Sequence, residues 1–145
     1  MIRKFEAKDT GHVMQIWLES NIGTHSFIPK NYWVSQYPSV QKQLLQADIF
    51  VYEQDSVIRG FVGIQKDYLA GIFVDENYRS MGIGKALLDY VKKIYPVFTL
   101  DVYRKNQRAV DFYIREGLSV VSEGVDENTA EAEYTMRWNR LSNMK

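Results

Sequence analysis

Tyr78-Arg79-Ser80-Met81-Gly82-Ile83-Gly84-Lys85-Ala86-Leu87-Leu88 is the stretch on which the reading of this chain turns. It joins a strand-like run to a segment with helical spacing. Gly82 and Gly84 permit backbone conformations, or a close ligand approach, that a β-carbon would obstruct. The unpaired N–H groups of a helix start, reinforced by the helix dipole, form a site for an anion. Arg79 and Lys85 add positive charge at its edges. An isolated G-x-G can be no more than a tight turn, but its place after a strand and before an amphipathic helix favours phosphate binding. Arg79, Ser80, Met81, Gly82, Ile83, Gly84 and Lys85 are therefore the candidate phosphate-binding residues. Two other phosphate motifs fail. A P-loop needs glycine where Arg79 stands and Ser or Thr where Ala86 stands. A dinucleotide fingerprint needs a third glycine at the position of Leu87.

Outward from this loop, the segments alternate between the two periods. Ile2 to Phe5 is a short strand candidate. Asp9 or Thr10 caps a helix with Val13, Ile16 and Trp17 on one face. A loop around Gly23 to Pro29 precedes a second helical stretch, Lys30 to Ala47, interrupted by Pro38. Ile49 to Glu53 and Val57 to Gln65 read as a hairpin around Gln54-Asp55-Ser56. Tyr68 to Val74 is a third strand, in which Gly71 suggests a bulge or the close approach of another backbone. Ile83, Leu87, Val91 and Ile94 mark a helix closed by Pro96. Val97 to Tyr103 is a strand, Asn106 caps a helix through Glu116, and Gly117 stands where a left-handed C-cap would sit. Strands near Leu118 to Glu123 and Glu133 to Trp138 follow. Strand, helix, strand from Tyr68 to Tyr103 is a crossover unit, which makes those two strands parallel neighbours, while the flanking hairpins favour antiparallel pairing. The expected fold class is α/β (α+β): a mixed, mostly antiparallel sheet with about four helices on its faces.

At 145 residues, without repeats or linker-like tracts, the chain is read as one domain, 1–145. Lys plus Arg and Asp plus Glu are 18 each, which leaves no positive excess to hold a polyanion and argues against a nucleic-acid partner. With no cysteine there is no thiolate nucleophile, disulfide or Cys-based zinc site, and no metal is expected. Met1 to Lys8 lacks a signal-peptide apolar run and no stretch is long enough to span a bilayer, so a soluble cytoplasmic protein without membrane association is expected.

Arg79-x-x-Gly82-x-Gly84 followed by Lys85-Ala86-Leu87-Leu88 resembles the pyrophosphate motif of the GCN5-related N-acetyltransferase (GNAT) superfamily. Gly71-Ile72-Phe73-Val74-Asp75 resembles that family's bulged strand. Asn106-x-x-Ala109-x-x-Phe112-Tyr113 with Gly117-Leu118 is similar to its N-x-x-A-x-x-x-Y and trailing G-F, Leu118 replacing the usual phenylalanine at a packing position. The resemblance implies a splayed parallel pair in the sheet and acetyl-CoA as co-substrate, its pantetheine lying between the strands that end near Val74 and Tyr103. It also implies main-chain contacts from Ile72, Phe73 and Val74, a contact from Asn106 to the CoA arm, and Tyr113 as the acid that protonates the leaving thiolate. Asn106 and Tyr113 are seven residues apart, about two helical turns, and so share a face. Without the resemblance, Asn106 reads as an N-cap and Tyr113 as a core aromatic.

An amine must be neutral to attack, yet lysine is neutral in only about one molecule in 2,500 at pH 7. Alternation places Thr99, Asp101 and Tyr103 on one strand face, and Asp101 resembles, one methylene shorter, the glutamate base of ribosomal-protein N-acetyltransferases in this family. It stands as a direct base, a base through water, a substrate contact or a structural carboxylate. Trp17, Thr24, His25, Phe27, Tyr32 and Trp33 cluster where the family builds its acceptor wall, and each can equally be core. His25 is the best polar contact among them; His12 reads as a solvated helix position. Phe27-Ile28-Pro29-Lys30-Asn31-Tyr32-Trp33 resembles a segment of small bacterial lysine acetyltransferases. The expected activity is acetyl transfer to a primary amine, on a protein lysine, an N-terminus or a small molecule. The alternative is a non-catalytic acyl-CoA sensor. Monomer and homodimer are both open.

Overall fold

The computed structural model describes residues 1–143. Its strands are β1 (Ile2–Lys4), β2 (Asp48–Gln54), β3 (Val57–Gln65), β4 (Tyr68–Val74), β5 (Val97–Tyr103), β6 (Ser119–Asp126) and β7 (Glu131–Asn139), and its helices are α1 (Thr10–Thr24), α2 (Lys30–Leu44), α3 (Ile83–Ile94) and α4 (Gln107–Arg115). Short 3-10 turns at Ala7–Asp9 and Glu76–Tyr78 precede α1 and α3. The strands form one sheet in the order β1-β2-β3-β4-β5-β7-β6, antiparallel throughout except between β4 and β5. No described helix is long and apolar enough to cross a membrane.

Each face of the sheet has its own apolar layer. Ile49, Val51 and Phe61 pack with Val13, Met14, Ile16, Trp17 and Trp33 from α1 and α2. Phe50, Val62, Phe98, Leu100 and Met136 pack with Leu87, Leu88, Val91 and Val110 from α3 and α4. The opposite placement of Phe50 from Ile49 and Val51 follows from the two-residue period of a strand. On β5 the same period buries Phe98, Leu100 and Val102 and leaves Asp101 exposed, as the sequence predicts.

The parallel junction of β4 and β5 positions the site. The two strands share one residue pair, Tyr68 with Thr99, backed by a 2.9 Å bond from the Thr99 N–H to the Asp67 carbonyl. Beyond it they separate, although β4 stays paired with β3 as far as Val74 and β5 with β7 as far as Tyr103. The bulge expected at Gly71 is present: Gly63 opposes Gly71 but Ile64 opposes Leu69, so Ala70 is the extra residue. The crowding at Gly71 comes from a ring rather than another backbone, for a β-carbon there would stand 2.5 Å from Phe73 ring atoms.

Other boundaries differ from expectation. Helix α2 runs through Pro38 and ends at Leu44, not Ala47, as Leu45 and Gln46 bond back three residues in a tightened last turn. Strands β6 and β7 extend further toward each other, to Asp126 and from Glu131, because β6 is exposed along nearly its whole length and shows no alternation to read. Asp9 sits in the N-cap position of α1 without capping it. Its carboxylate accepts from Arg3 Nη1 and Nη2 at 2.9 and 3.0 Å and from the Glu6 N–H at 2.8 Å, while Arg3 also reaches Glu53 on β2.

This buried fork ties β1, the first turn and β2 together. Asp9→Asn is expected to cost about 1.5–3 kcal/mol at pH 7, measured by urea unfolding. The bonds from Arg3 hold the Asp9 carboxyl below the ordinary 3.8. The stabilisation is therefore complete above about pH 4 and is lost as pH falls through the folded-state value, where the two proteins should converge.

Candidate active site

The loop after β4 turns into α3 through Ser80 and Gly82, both with left-handed φ, +64° and +80°. Gly82 occupies the N-cap and supplies no side-chain cap. The first helical bond of α3 runs from the Ala86 N–H to the Gly82 carbonyl, so the N–H groups of Ile83, Gly84 and Lys85 precede it. These three residues line a cavity of about 590 Å³ bounded by the loop, the end of β4 and α4. Of the residues singled out in the sequence, Arg79, Ser80, Gly82, Ile83, Gly84 and Lys85 line it, together with Ile72, Phe73 and Val74. Met81 does not line it; its side chain is 62% exposed. Arg79 donates to Thr24 Oγ1 at 3.2 Å, and Arg108 donates to Ser80 Oγ at 3.2 Å. Lys85 is paired with Glu116 at 3.0 Å, and Lys92 shares that carboxylate at 3.4 Å. The positive edge is thus carried by Arg79, Arg108 and Arg115 as well as Lys85. Arg108 and Arg115 escape a sequence reading that stops at the glycine loop and the asparagine.

A second cavity, about 420 Å³, opens on the other side of the splayed strands. Trp17, Trp33, Tyr68, Asp101, Tyr103, Asp126 and Glu133 form its outer wall. Of the other predicted acceptor residues, His25 lines both cavities, whereas Phe27 and Tyr32 line neither and pack behind: Phe27 against His25 and Tyr103, Tyr32 against Trp33. Asn21, His25, Ile72, Phe73, Asn106, Ala109 and Tyr113 belong to both cavities, so the two meet at this partition.

A chain of hydrogen bonds fixes the polar part of the partition. Asn106 caps α4, its Oδ1 accepting from the Ala109 N–H at 3.3 Å, which turns its Nδ2 toward His25 Nε2 at 3.2 Å. Asn21 Nδ2 donates to the Trp17 carbonyl at 2.9 Å, which turns its Oδ1 toward His25 Nδ1 at 3.1 Å. His25 must therefore accept at Nε2 and donate from Nδ1. Burial pushes its pKa down to about 4, so the ring is neutral near pH 7.

Asn106 and Tyr113 face the same space, as their spacing requires. Tyr113 is buried, and desolvation pushes its hydroxyl up to about 12, which keeps the proton available for donation at neutral pH. Asp101 lies in the second cavity with both oxygens engaged: Oδ2 accepts from the Tyr68 hydroxyl at 3.0 Å and Oδ1 from Thr135 Oγ1 at 2.6 Å. Tyr68, Asp126 and Glu133 were not legible as site residues, since only the register of β4, β5, β6 and β7 gathers them. His12 is exposed, as expected. No group of His, Cys, Asp and Glu suited to hold a metal ion occurs among the described residues.

A family model, Acetyltransferase (GNAT) family, matches residues 10–118. The chain is 36% identical over 140 residues to the peptidyl-lysine N-acetyltransferase YiaC of Escherichia coli (strain K12), covering 95% of this chain and 96% of that one. Its fold is similar to the solution structure of apo-form YjaB from Escherichia coli, with a TM-score of 0.84, 23% identity, and 95% and 96% of the two chains covered. It is also similar to yncA, a putative acetyltransferase from Salmonella typhimurium solved with its cofactor acetyl-CoA, with a TM-score of 0.69, 15% identity, and 97% and 93% covered. With a phosphate-ready loop and a paired asparagine and tyrosine at the splay of a mixed sheet, the chain belongs to the GNAT family of N-acetyltransferases, enzymes that move acetyl from acetyl-CoA to an amine.

Proposed function

We propose that this enzyme acetylates the ε-amine of lysine side chains in peptides or proteins. The observation that carries the reading is the junction of two cavities at Tyr113, one edged with arginines and the other with carboxylates and aromatic rings. Similarity to YiaC along nearly the whole chain supports a peptidyl acceptor over a small amine.

In this reading the CoA pyrophosphate lies against the N–H groups at the start of α3, with Arg79 and Arg108 at its edges. The pantetheine follows the free edge of β4 and bonds to main-chain groups of Ile72, Phe73 and Val74. The Asn106 amide, already oriented by the cap, contacts the same arm. The lysine enters from the second cavity, where Trp17 and Trp33 flank its methylenes and Asp101 attracts its ammonium. Its neutral amine attacks the thioester carbonyl, a backbone N–H at the bulge stabilises the oxyanion, and the thiolate leaves as Tyr113 donates its proton to sulfur.

Thiol release from acetyl-CoA, followed with a thiol-reactive dye against lysine peptides, peptides with free N-termini, polyamines and aminoglycosides, tests the acceptor. Turnover confined to lysine peptides is expected; turnover confined to another class overturns the lysine reading. Tyr113→Phe should lower kcat by about 10²–10⁴-fold while acetyl-CoA still raises the melting temperature, an outcome a sensor would not give. Gly84→Ala separates scaffold from ligand. A β-carbon there meets nothing closer than 3.9 Å, so stability should hold or rise, by up to ~1 kcal/mol, whereas affinity for CoA should fall about tenfold or more in a titration calorimeter.

A further inference from the structure

The three carboxylates of the acceptor cavity are separated by their hydrogen bonding. Asp101 accepts from Tyr68 and Thr135. Asp126 accepts from the Tyr103 hydroxyl at 2.6 Å and from the Asn128 N–H at 2.9 Å. Each of these two carboxylates therefore has a donor on both of its oxygens. The Glu133 carboxylate has no hydrogen-bond partner among the described residues. It lies on β7 opposite Tyr103, two residues before Thr135, which is opposite Asp101, so strand alternation puts it on the face that carries both carboxylate partners. The groups that surround it are Tyr68 from β4, Asp101 and Tyr103 from β5, and Asp126 from β6. No lysine or arginine lines the cavity among the described residues, and the nearby Lys105 is paired with Glu131 at 3.0 Å.

Resting on the amine-acceptor reading above, we infer that Glu133 is the proton acceptor for the incoming ammonium, with Asp101 and Asp126 as fixed charges that attract and orient it. Burial, and then the charges of Asp101 and Asp126, raise the proton affinity of the Glu133 carboxyl. A more basic carboxylate is a better match to an ammonium. His25 cannot serve, since its Nε2 already accepts from Asn106 and burial holds the ring near 4.

The steps balance as follows. Glu133 takes one proton from the ammonium, and the freed lone pair forms the N–C bond. On collapse the C–S bond breaks and Tyr113 gives its proton to sulfur. The nitrogen, now an amide, releases its second proton, which restores Tyr113, and Glu133 returns its own to water. One proton is released per acetyl transferred.

The test is the pH profile of kcat/KM for the Glu133→Gln and Asp101→Asn variants, using whichever amine the wild type turns over, with acetyl-CoA thermal stabilisation as the check that each variant folds. Glu133→Gln is expected to fall about 10²-fold at pH 7 and to regain activity with unit slope as pH approaches the pKa of the free amine. Asp101→Asn is expected to change mainly KM. A Glu133→Gln enzyme within threefold of wild type, or with an unchanged profile, overturns the inference. Carboxyl NMR titration gives a readout independent of the acceptor. Glu133 should titrate above the exposed glutamates and move down in Asp126→Asn; titration together with the exposed glutamates overturns the assignment even if no amine on the panel is acetylated.

Discussion

The site depends on a failure of pairing. Two parallel strands that would hydrogen-bond along their length share one pair, Tyr68 with Thr99, and then diverge. Every unpaired backbone group along that divergence is a donor or acceptor that a buried sheet interior would not tolerate. The molecule keeps them because the gap opens into two cavities. The bulge at Ala70 and Gly71 turns β4 away from β5, and the Phe73 ring folded over Gly71 occupies the room left by the missing side chain. Stacking of Phe73 on Phe61 at 5.0 Å anchors the diverging strand to its other neighbour.

The partition is rigid for a second reason. Asn21, His25 and Asn106 come from the end of α1, the loop after it and the start of α4, and each is held by a backbone group or by the next side chain. None of the three needs a charge, so the arrangement is insensitive to pH across the range in which the imidazole stays neutral. The hydroxyl of Tyr113 and the carboxylates beyond it thus lie beside a polar but uncharged wall.

The parts legible in the sequence were those set by local rules. The glycine loop, the helix after it, the caps at Asn106 and Gly117 and the alternation along β5 depend on residues close together in the chain. The Tyr113 and Asn106 pairing is a matter of helical period. The carboxylates on β6 and β7 were hidden because their approach to Asp101 depends on the register of strands separated by a helix and a hairpin. Arg108 is ordinary by composition and reaches the loop only because α4 lies beside it. Phe27 and Tyr32 illustrate the reverse case: an aromatic-rich segment cannot reveal which rings face a cavity and which stand behind. The α1 start was legible, with Asp9 at the N-cap, but not the partner of its carboxylate, which is Arg3 rather than the helix it precedes.

The shared partition has a thermodynamic consequence. Asn106 and His25 each line both cavities, and the Asn106 amide reaches the His25 ring between them. Any free-energy coupling between the two chambers is reciprocal: whatever factor a ligand in one contributes to affinity in the other, the second contributes to the first. The two chambers are in this way joined through a single imidazole.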